Sequence, residues 1–392
     1  MSATQFDRAA APESTRPPLR VLVTVHRYFP EQGGIETHIA EVLKRLSKDS
    51  AFSFTLLTTD LTGKLPAEEV VDGVTVLRVP AWPRNRDYYL APRIPGIIGQ
   101  PDRWDLVHCQ GIHNAVPVLS MMAARRAGIP YVVTFHTGGH SHRLRNAIRS
   151  TQWRVIGPLL RGASGLIGVS RFEAETISRY ARLAPKPVTV IRNGGTLPPP
   201  PAEIAPVPGR IVSSGRLEHY KGHHRVIEAL PHAIQLMPEA HLRILGSGPY
   251  ESELRALAAR LGVADQVTIT SLPPTDRAAM GQALAEASVV AALSDYEAHP
   301  IGVMEALSVR RSVVGFNIAG IGELVGEGWV HGVDPKESPA AIAKHLVSAM
   351  STRPPVDPGD LPTWDTCAAQ LGDVYLAMAE RIRRGELGRR TG

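Results

Sequence analysis

One alternation governs what this chain can fold into. Short runs of buried aliphatic residues are each followed by a Gly- or Pro-rich break and then by apolar residues at helical spacing. Leu19-Arg20-Val21-Leu22-Val23-Thr24-Val25 is the first run; it breaks at Phe29-Pro30-Glu31-Gln32-Gly33-Gly34, and Ile35, His38, Ile39, Val42, Leu43 and Leu46 then mark an amphipathic helix. The pattern places further strands at 54–58, 74–79, 106–109, 131–135, 165–169 and 188–191, with helices over about 113–127, 143–161 and 171–183. Alternation of this kind implies a parallel sheet covered on both faces. Residues 197–208 are crowded with prolines, Pro198-Pro199-Pro200-Pro201 among them, and read as a stiff linker. A second series follows, with strands at 210–214, 242–245, 267–270 and 288–293 and helices from near His224 and over 250–261. The expected organisation is a disordered tail over 1–18, a first α/β domain over 19–196, the linker, and a second α/β domain over 209–371.

Composition narrows the class. With 392 residues, 43% hydrophobic and 20% charged, the chain has ordinary globular values and length for two full cores. Its formal charge of +6 is carried mainly by arginine. That suits phosphate-bearing ligands or a mildly membrane-seeking face and is too diffuse for nucleic acid. Cys109 and Cys367 lack metal-site spacing, and no run reaches transmembrane length. A cytoplasmic protein is expected, there being no export signal at the N-terminus.

The chemistry-bearing residues cluster at strand ends. Glu297 and Glu305 stand eight positions apart, with Pro300 about where a helix starts and Ile301, Val303, Met304 and Leu307 continuing it. Glu297 then lies in the loop before that helix and Glu305 on its second turn. A carboxylate accepts hydrogen bonds from neighbouring hydroxyls of a sugar or ribose; read otherwise, these are two solvated glutamates of an ordinary αβα segment. Ala319-Gly320-Ile321-Gly322 reads as a Gly-rich turn into another helix. Arg216 and Lys221 lie on one strand-end loop, and no Asp-x-Asp metal clamp occurs in the chain. Two fixed cations near a helix N-terminus are a metal-free way to hold a diphosphate leaving group. His136 follows a strand end and is placed to face a cleft. With His140 and His142 it lacks a carboxylate at metal-site spacing, so no metal site is expected.

Together these loops resemble those of retaining GT-B glycosyltransferases of family 4. The match rests on Gly33-Gly34-Ile35-Glu36, Thr134-Phe135-His136, Arg192-Asn193-Gly194, Gly215-Arg216 with Lys221-Gly222, Gly246–Pro249, and the Glu297/Glu305 pair, and spans Leu19 to Tyr375. The resemblance implies two doubly wound Rossmann-like domains facing a cleft, the first for acceptor and the second for donor, with a last helix at about 372–388 crossing back to the first. It implies that His136, Arg216, Lys221 and Glu297 are the catalytic group. Gly33, Gly34, Asn193, Gly215, Gly246, Gly248 and Leu272 then join Arg216 and Lys221 in holding the donor. Glu297, His299, Pro300, Ile301 and Glu305 complete that site, with Glu305 on ribose and Glu297 on the transferred sugar. A nucleotide-diphosphate sugar is the co-substrate, UDP- or GDP-linked, with no cofactor and no metal. The sugar moves with retention by same-face attack. The acceptor is either a soluble secondary metabolite or aminocyclitol or a lipid-linked glycan; a nucleotide-sugar epimerase or hydrolase is the alternative. Ala298-His299-Pro300 stands where the family commonly has Gly-Phe-Gly, so sugar selectivity does not carry over. The segment 141–162 alternates arginines with Leu144, Ile148, Trp153, Ile156 and Leu160. Weak peripheral membrane contact and packing on the first sheet are both open to it.

Overall fold

Strand β1 (Leu19–Thr24) sits at the centre of the first sheet, between β2 (Phe52–Asp60) and β5 (Leu106–Gln110), and runs parallel to both. It is buried on both faces, as Val21, Leu22 and Val23 require. The computed structural model describes residues 17–31, 33–83, 89–136, 153, 156–198, 204–273 and 275–388. Most of the expected tail, of the segment 141–162 and of the prolines at 199–203 lies outside these, as do His140 and His142.

Among the described residues the first sheet has the order β3-β4-β2-β1-β5-β6-β7-β8. Here β3 is Glu68–Val71, β4 Val74–Pro80, β6 Tyr131–Thr134, β7 Gly165–Gly168 and β8 Thr189–Val190. All neighbours are parallel except β3 and β4, which pair antiparallel. The sequence reading lacked β3, because its Glu68-Glu69-Val70-Val71 has only half-buried or exposed positions and no apolar face to register. Helices α1 (Gly34–Leu46), α2 (Ile94–Ile98), α3 (Ala115–Ala127) and α4 (Arg171–Tyr180) belong to this domain.

The second sheet has the order β11-β10-β9-β12-β13-β14, all parallel. Its strands are β9 (Arg210–Ser214), β10 (His241–Leu245), β11 (Val267–Thr270), β12 (Val289–Ala292), β13 (Val313–Phe316) and β14 (His331–Val333). Around it lie α5 (His223–Leu236), α6 (Glu251–Arg260), α7 (Arg277–Ala285), α8 (Ile301–Ser308), α9 (Ala319–Gly326) and α10 (Pro339–Met350). The strand order reverses between β9 and β12, and in the first sheet between β1 and β5. Ligands of such sheets bind beyond the carboxyl ends of the strands at these reversals. The Gly-rich stretch from Ala319 is not a turn before a helix but the helix α9 itself, with Ile321 and Leu324 buried.

The last helix, α11, runs Trp364–Arg383 and so begins earlier than the expected 372. A capping box at Thr363 and Thr366 starts it. Trp364, Cys367, Leu371, Tyr375 and Met378 are buried with Val21, Val23, Phe52 and Phe54 in a core of the first domain. The chain therefore crosses back. The described end of the 141–162 segment likewise buries Ile156, Leu159 and Leu160 in the other core of that domain, while Trp153 stacks on Tyr180 at 6.0 Å.

Tyr375 is fully buried, its ring 5.8 Å from Phe52 and 5.7 Å from Phe54, and its hydroxyl lies 2.7 Å from His108 Nδ1. Tyr375→Ala should lower unfolding free energy by about 3–5 kcal/mol, against roughly 1–2 kcal/mol for Tyr375→Phe, which only unpairs the imidazole. Urea unfolding followed by tryptophan fluorescence reads this. Equal losses for the two variants would mean that α11 contributes no packing.

Candidate functional site

The loops beyond β1 and β5 face those beyond β9 and β12. On the first domain, Gly33 is the N-cap of α1 and its carbonyl accepts from Thr37 N at 3.1 Å. Glu36 curls back so that a Cβ on Gly33 would meet its Oε2 at 2.7 Å. A carboxylate there is favoured by the helix dipole. Burial pushes the Glu36 carboxyl up to about 6, with Arg27 and, from the second domain, Arg216 pulling the other way. A Cβ on Gly34 would lie 3.7 Å from Ile301 Cδ1, so the first residues of α1 and α8 abut across the cleft.

On the second domain, β9 ends at Ser214, and Gly215 and Arg216 lead into a 3-10 turn over His219–Lys221. Lys221 Nζ donates to Glu297 Oε1 at 2.6 Å, and the two side chains are largely buried. Burial depresses the Lys221 ammonium, but Glu297, joined by Tyr220 and Glu218, more than offsets this, and the pKa of Lys221 is raised. Arg216 pairs with Glu218 at 2.8 Å on the open side of the loop. His223 braces the loop by donating from Nε2 to the Arg216 carbonyl at 3.2 Å, while Nδ1 takes the Ser213 hydroxyl at 2.8 Å. Gly246 and Gly248 have a packing role: a Cβ on Gly246 would sit 1.9 Å from the Gly215 carbonyl, and one on Gly248 2.5 Å from that of Leu217. Their bare backbones let the 246–249 loop lie against the Arg216 loop.

Glu305, on the second turn of α8, is buried and bonded to the Arg277 guanidinium at the start of α7. Leu272 follows β11 in the connection to that helix and packs, half-buried, on the core beneath it. Pro300 is the N-cap of α8, and Ile301 packs on the first domain's core.

The domains are joined through polar groups. Asn193 accepts from His38 Nδ1 at 2.9 Å and donates to the His299 carbonyl at 3.1 Å, linking α1 to the loop before α8. His136 donates from Nε2 to Gln110 Oε1 at 2.8 Å, and its ring lies 4.9 Å from that of His38. Burial holds these imidazoles neutral: His38 is lowered to about 4 and His136 well below its ordinary value. His136 is thus a neutral hydrogen-bonding group at the cleft, not a cation. His299 is buried, with neither ring nitrogen hydrogen-bonded, and burial followed by the Arg192 charge lowers it to about 3. Arg192 itself bonds Glu323 and Glu327 of the second domain, and Glu323 also caps α4 through Phe172 N at 2.9 Å. Sequence reasoning missed Arg277, Gln110, His38 and the Arg192 cluster as parts of this region. Gln110 alone carried a local signal, as a polar residue ending a buried strand. Among the described residues, no group of three or more His, Cys, Asp or Glu side chains is placed to hold a metal ion.

Two family models match the chain: Glycosyltransferase Family 4 over residues 32–195 and Glycosyl transferases group 1 over 202–357. The D-inositol 3-phosphate glycosyltransferase of Streptomyces scabiei is 26% identical over 412 residues, covering 90% of this chain and 88% of that protein. The GDP-mannose:cellobiosyl-diphosphopolyprenol alpha-mannosyltransferase of Xanthomonas campestris is 26% identical over 303 residues, 74% and 76% of the two chains. The solved structure of sucrose-phosphate synthase from Thermosynechococcus elongatus superposes with a TM-score of 0.72 at 17% identity, covering 92% of this chain and 99% of that one.

The buried neutral histidines carry a stability signature. An imidazole whose folded-state value lies near 3–4, as for His26, His38, His108 and His299, stays unprotonated in the fold while the unfolded chain takes up a proton. Stability is therefore lost as pH falls below the unfolded value of about 6.5, by up to about 1.4 kcal/mol per pH unit per group. Denaturant unfolding should give a markedly lower midpoint at about pH 5.5 than at about pH 7.5, with a smaller drop in His299→Gln. A midpoint independent of pH over that range would contradict the burial of neutral imidazoles.

Proposed function

The chain belongs to glycosyltransferase family 4, the glycosyl transferases group 1, and is a nucleotide-sugar glycosyltransferase of GT-B architecture; on that premise we propose that it transfers a sugar with retention, without a metal, to a hydroxyl of a small acceptor. The observation that carries this reading is the Lys221–Glu297 pair, with Arg216 on the same loop and the α1 N-terminus opposite.

The leaving group is a nucleoside diphosphate, and bond cleavage throws negative charge onto its outer phosphate. Lys221 and Arg216 are cations held in place before the reaction, and amides at the start of α1 add a positive dipole end. Lys221 then exchanges one anion, Glu297, for another. Glu297 is released to accept hydrogen bonds from the sugar's hydroxyls. Glu305 accepts from ribose. Neutral His136, its Nε2–H held by Gln110, leaves Nδ1 to accept a hydrogen bond from a sugar hydroxyl on the acceptor side. The attacking hydroxyl approaches on the face the diphosphate leaves, and the departing phosphate oxygen takes its proton.

The acceptor is read as a small polyhydroxylated compound of the phosphorylated cyclitol kind. Support comes from the longer match to the inositol phosphate enzyme and from the burial of Ile156, Leu159 and Leu160, which spends part of the basic amphipathic segment on the core. The mannosyltransferase relative, named for a polyprenol-linked acceptor, favours a lipid-linked glycan as the second reading. Co-flotation with anionic vesicles would favour that second reading; its absence favours the first.

A screen of UDP- and GDP-sugars with cyclitol phosphates, read by product mass and anomeric NMR couplings, tests the proposal; an inverted product would overturn the same-face mechanism. Lys221→Ala should cut turnover about a hundredfold, the scale of one charge-assisted hydrogen bond in a dry site. Dialysis against EDTA should leave the rate within about twofold of the untreated enzyme. Loss of transfer in EDTA that magnesium or manganese restores would move charge stabilisation off Arg216 and Lys221.

A further inference from the structure

We propose that Arg277 is a positioning residue of the nucleotide site: its guanidinium stays bonded to Glu305 when nucleotide binds and so determines which carboxylate oxygen is left for the ribose. The inference rests on the reading of Glu305 as the ribose carboxylate.

Arg277 Nη2 donates to Glu305 Oε1, and the two side chains are 17% and 6% exposed. Among the described residues, one oxygen of Glu305 is engaged. Oε2 and the remaining lone pair stay available to the neighbouring hydroxyls of a ribose. Arg277 occupies the first position of α7, directly after the N-cap Asp276, whose Oδ1 accepts from Ala279 N at 2.9 Å. A cation in the first turn of a helix opposes the helix dipole. Its place there is explained by Glu305, against which it is buried. Leu272, expected among the donor-holding residues, lies in the same β11–α7 connection, so one short segment carries both it and Arg277.

The surroundings give this pairing a consequence that simple tethering of α7 to α8 lacks. Burial raises the proton affinity of Glu305; Arg277 is the cation opposing it, and Glu41 of α1, itself paired with Arg45 at 2.6 Å, adds to the rise. Without Arg277 the carboxyl would protonate at higher pH. A protonated carboxyl has lost its charge and one acceptor. Loss of Arg277 should therefore weaken nucleotide binding progressively as pH falls, whereas a loosened fold would weaken it at every pH.

The test is calorimetric titration of uridine and guanosine diphosphates into wild type, Arg277→Met, Arg277→Lys and Glu305→Gln, using the diphosphate that wild type binds more tightly. Ratios to wild type at the same pH remove the ligand's own titration. Arg277→Met should bind about tenfold more weakly at about pH 6.5 and within about threefold at about pH 9, with Arg277→Lys restoring most of the loss. Glu305→Gln should be weakened by a similar factor at both. If Arg277→Met does not fold, Arg277→Gln is held to the same criterion. A loss independent of pH, or no loss while Glu305→Gln is weakened, overturns the role of Arg277 and leaves Glu305 in place. Unchanged affinity in Glu305→Gln overturns the reading of Glu305 itself.

Discussion

The four residues Arg192–Gly195 hold the two sheets in the relation that makes a cleft. A Cβ on Gly194 would meet Trp364 N at 2.3 Å, and one on Gly195 would meet Met304 Cβ at 2.3 Å. No side chain fits there, so the returning helix α11 and the second domain's helix α8 are both packed directly on backbone. Asn193 adds hydrogen bonds to both domains, and Arg192 adds its two glutamates. Buried ion pairs contribute little net stability, yet an unpaired partner is costly. The Arg192 cluster therefore specifies how the domains sit more than it strengthens their union. From that relation follows the abutment of α1 and α8 at Gly34 and Ile301, and with it the facing of the two sets of strand-end loops.

Charge inside the cleft is balanced by the chain's own residues. Lys221 lies on Glu297, Arg277 on Glu305 and Arg216 on Glu218, while the deeply buried imidazoles are neutral. In the proposed reaction a diphosphate meets Lys221 already largely desolvated, so the exchange of Glu297 for a phosphate demands less than stripping a lysine of water, while Arg216 waits on the open side of its loop. As proposed, the same exchange frees Glu297 for the sugar's hydroxyls. On that proposal, one movement of a single ammonium couples holding the leaving group to holding the transferred ring.

Much of this was legible in the sequence. The central strands of both series are largely buried apolar runs, and a signal of that kind survives tertiary context. Strand-end loops could be placed from the Gly and Pro breaks, which put Arg216 and Lys221 on one loop and Glu297 before α8; the roles expected of these residues and Glu305 came from the family resemblance. Partners were not legible. Arg277 meets Glu305 only because α7 and α8 flank β12, and nothing in Asp276-Arg277-Ala278-Ala279 marks its arginine as anything but a surface charge. His38 was read as part of an amphipathic stripe, since burial beside Asn193 depends on the return of α11. Gly246 and Gly248 were read as part of a ligand loop, and their closeness to Gly215 and Leu217 adds a packing role that the sequence did not show. β3 escaped because its alternation lacks a buried face.

The central claim, that Lys221 trades Glu297 for the diphosphate, is tested most directly by a crystal structure of the protein with its nucleoside diphosphate. The account predicts Lys221 Nζ within about 3 Å of a phosphate oxygen, with the Glu297 carboxylate released toward the sugar subsite. Lys221 still bonded to Glu297, with the diphosphate held elsewhere, would contradict it.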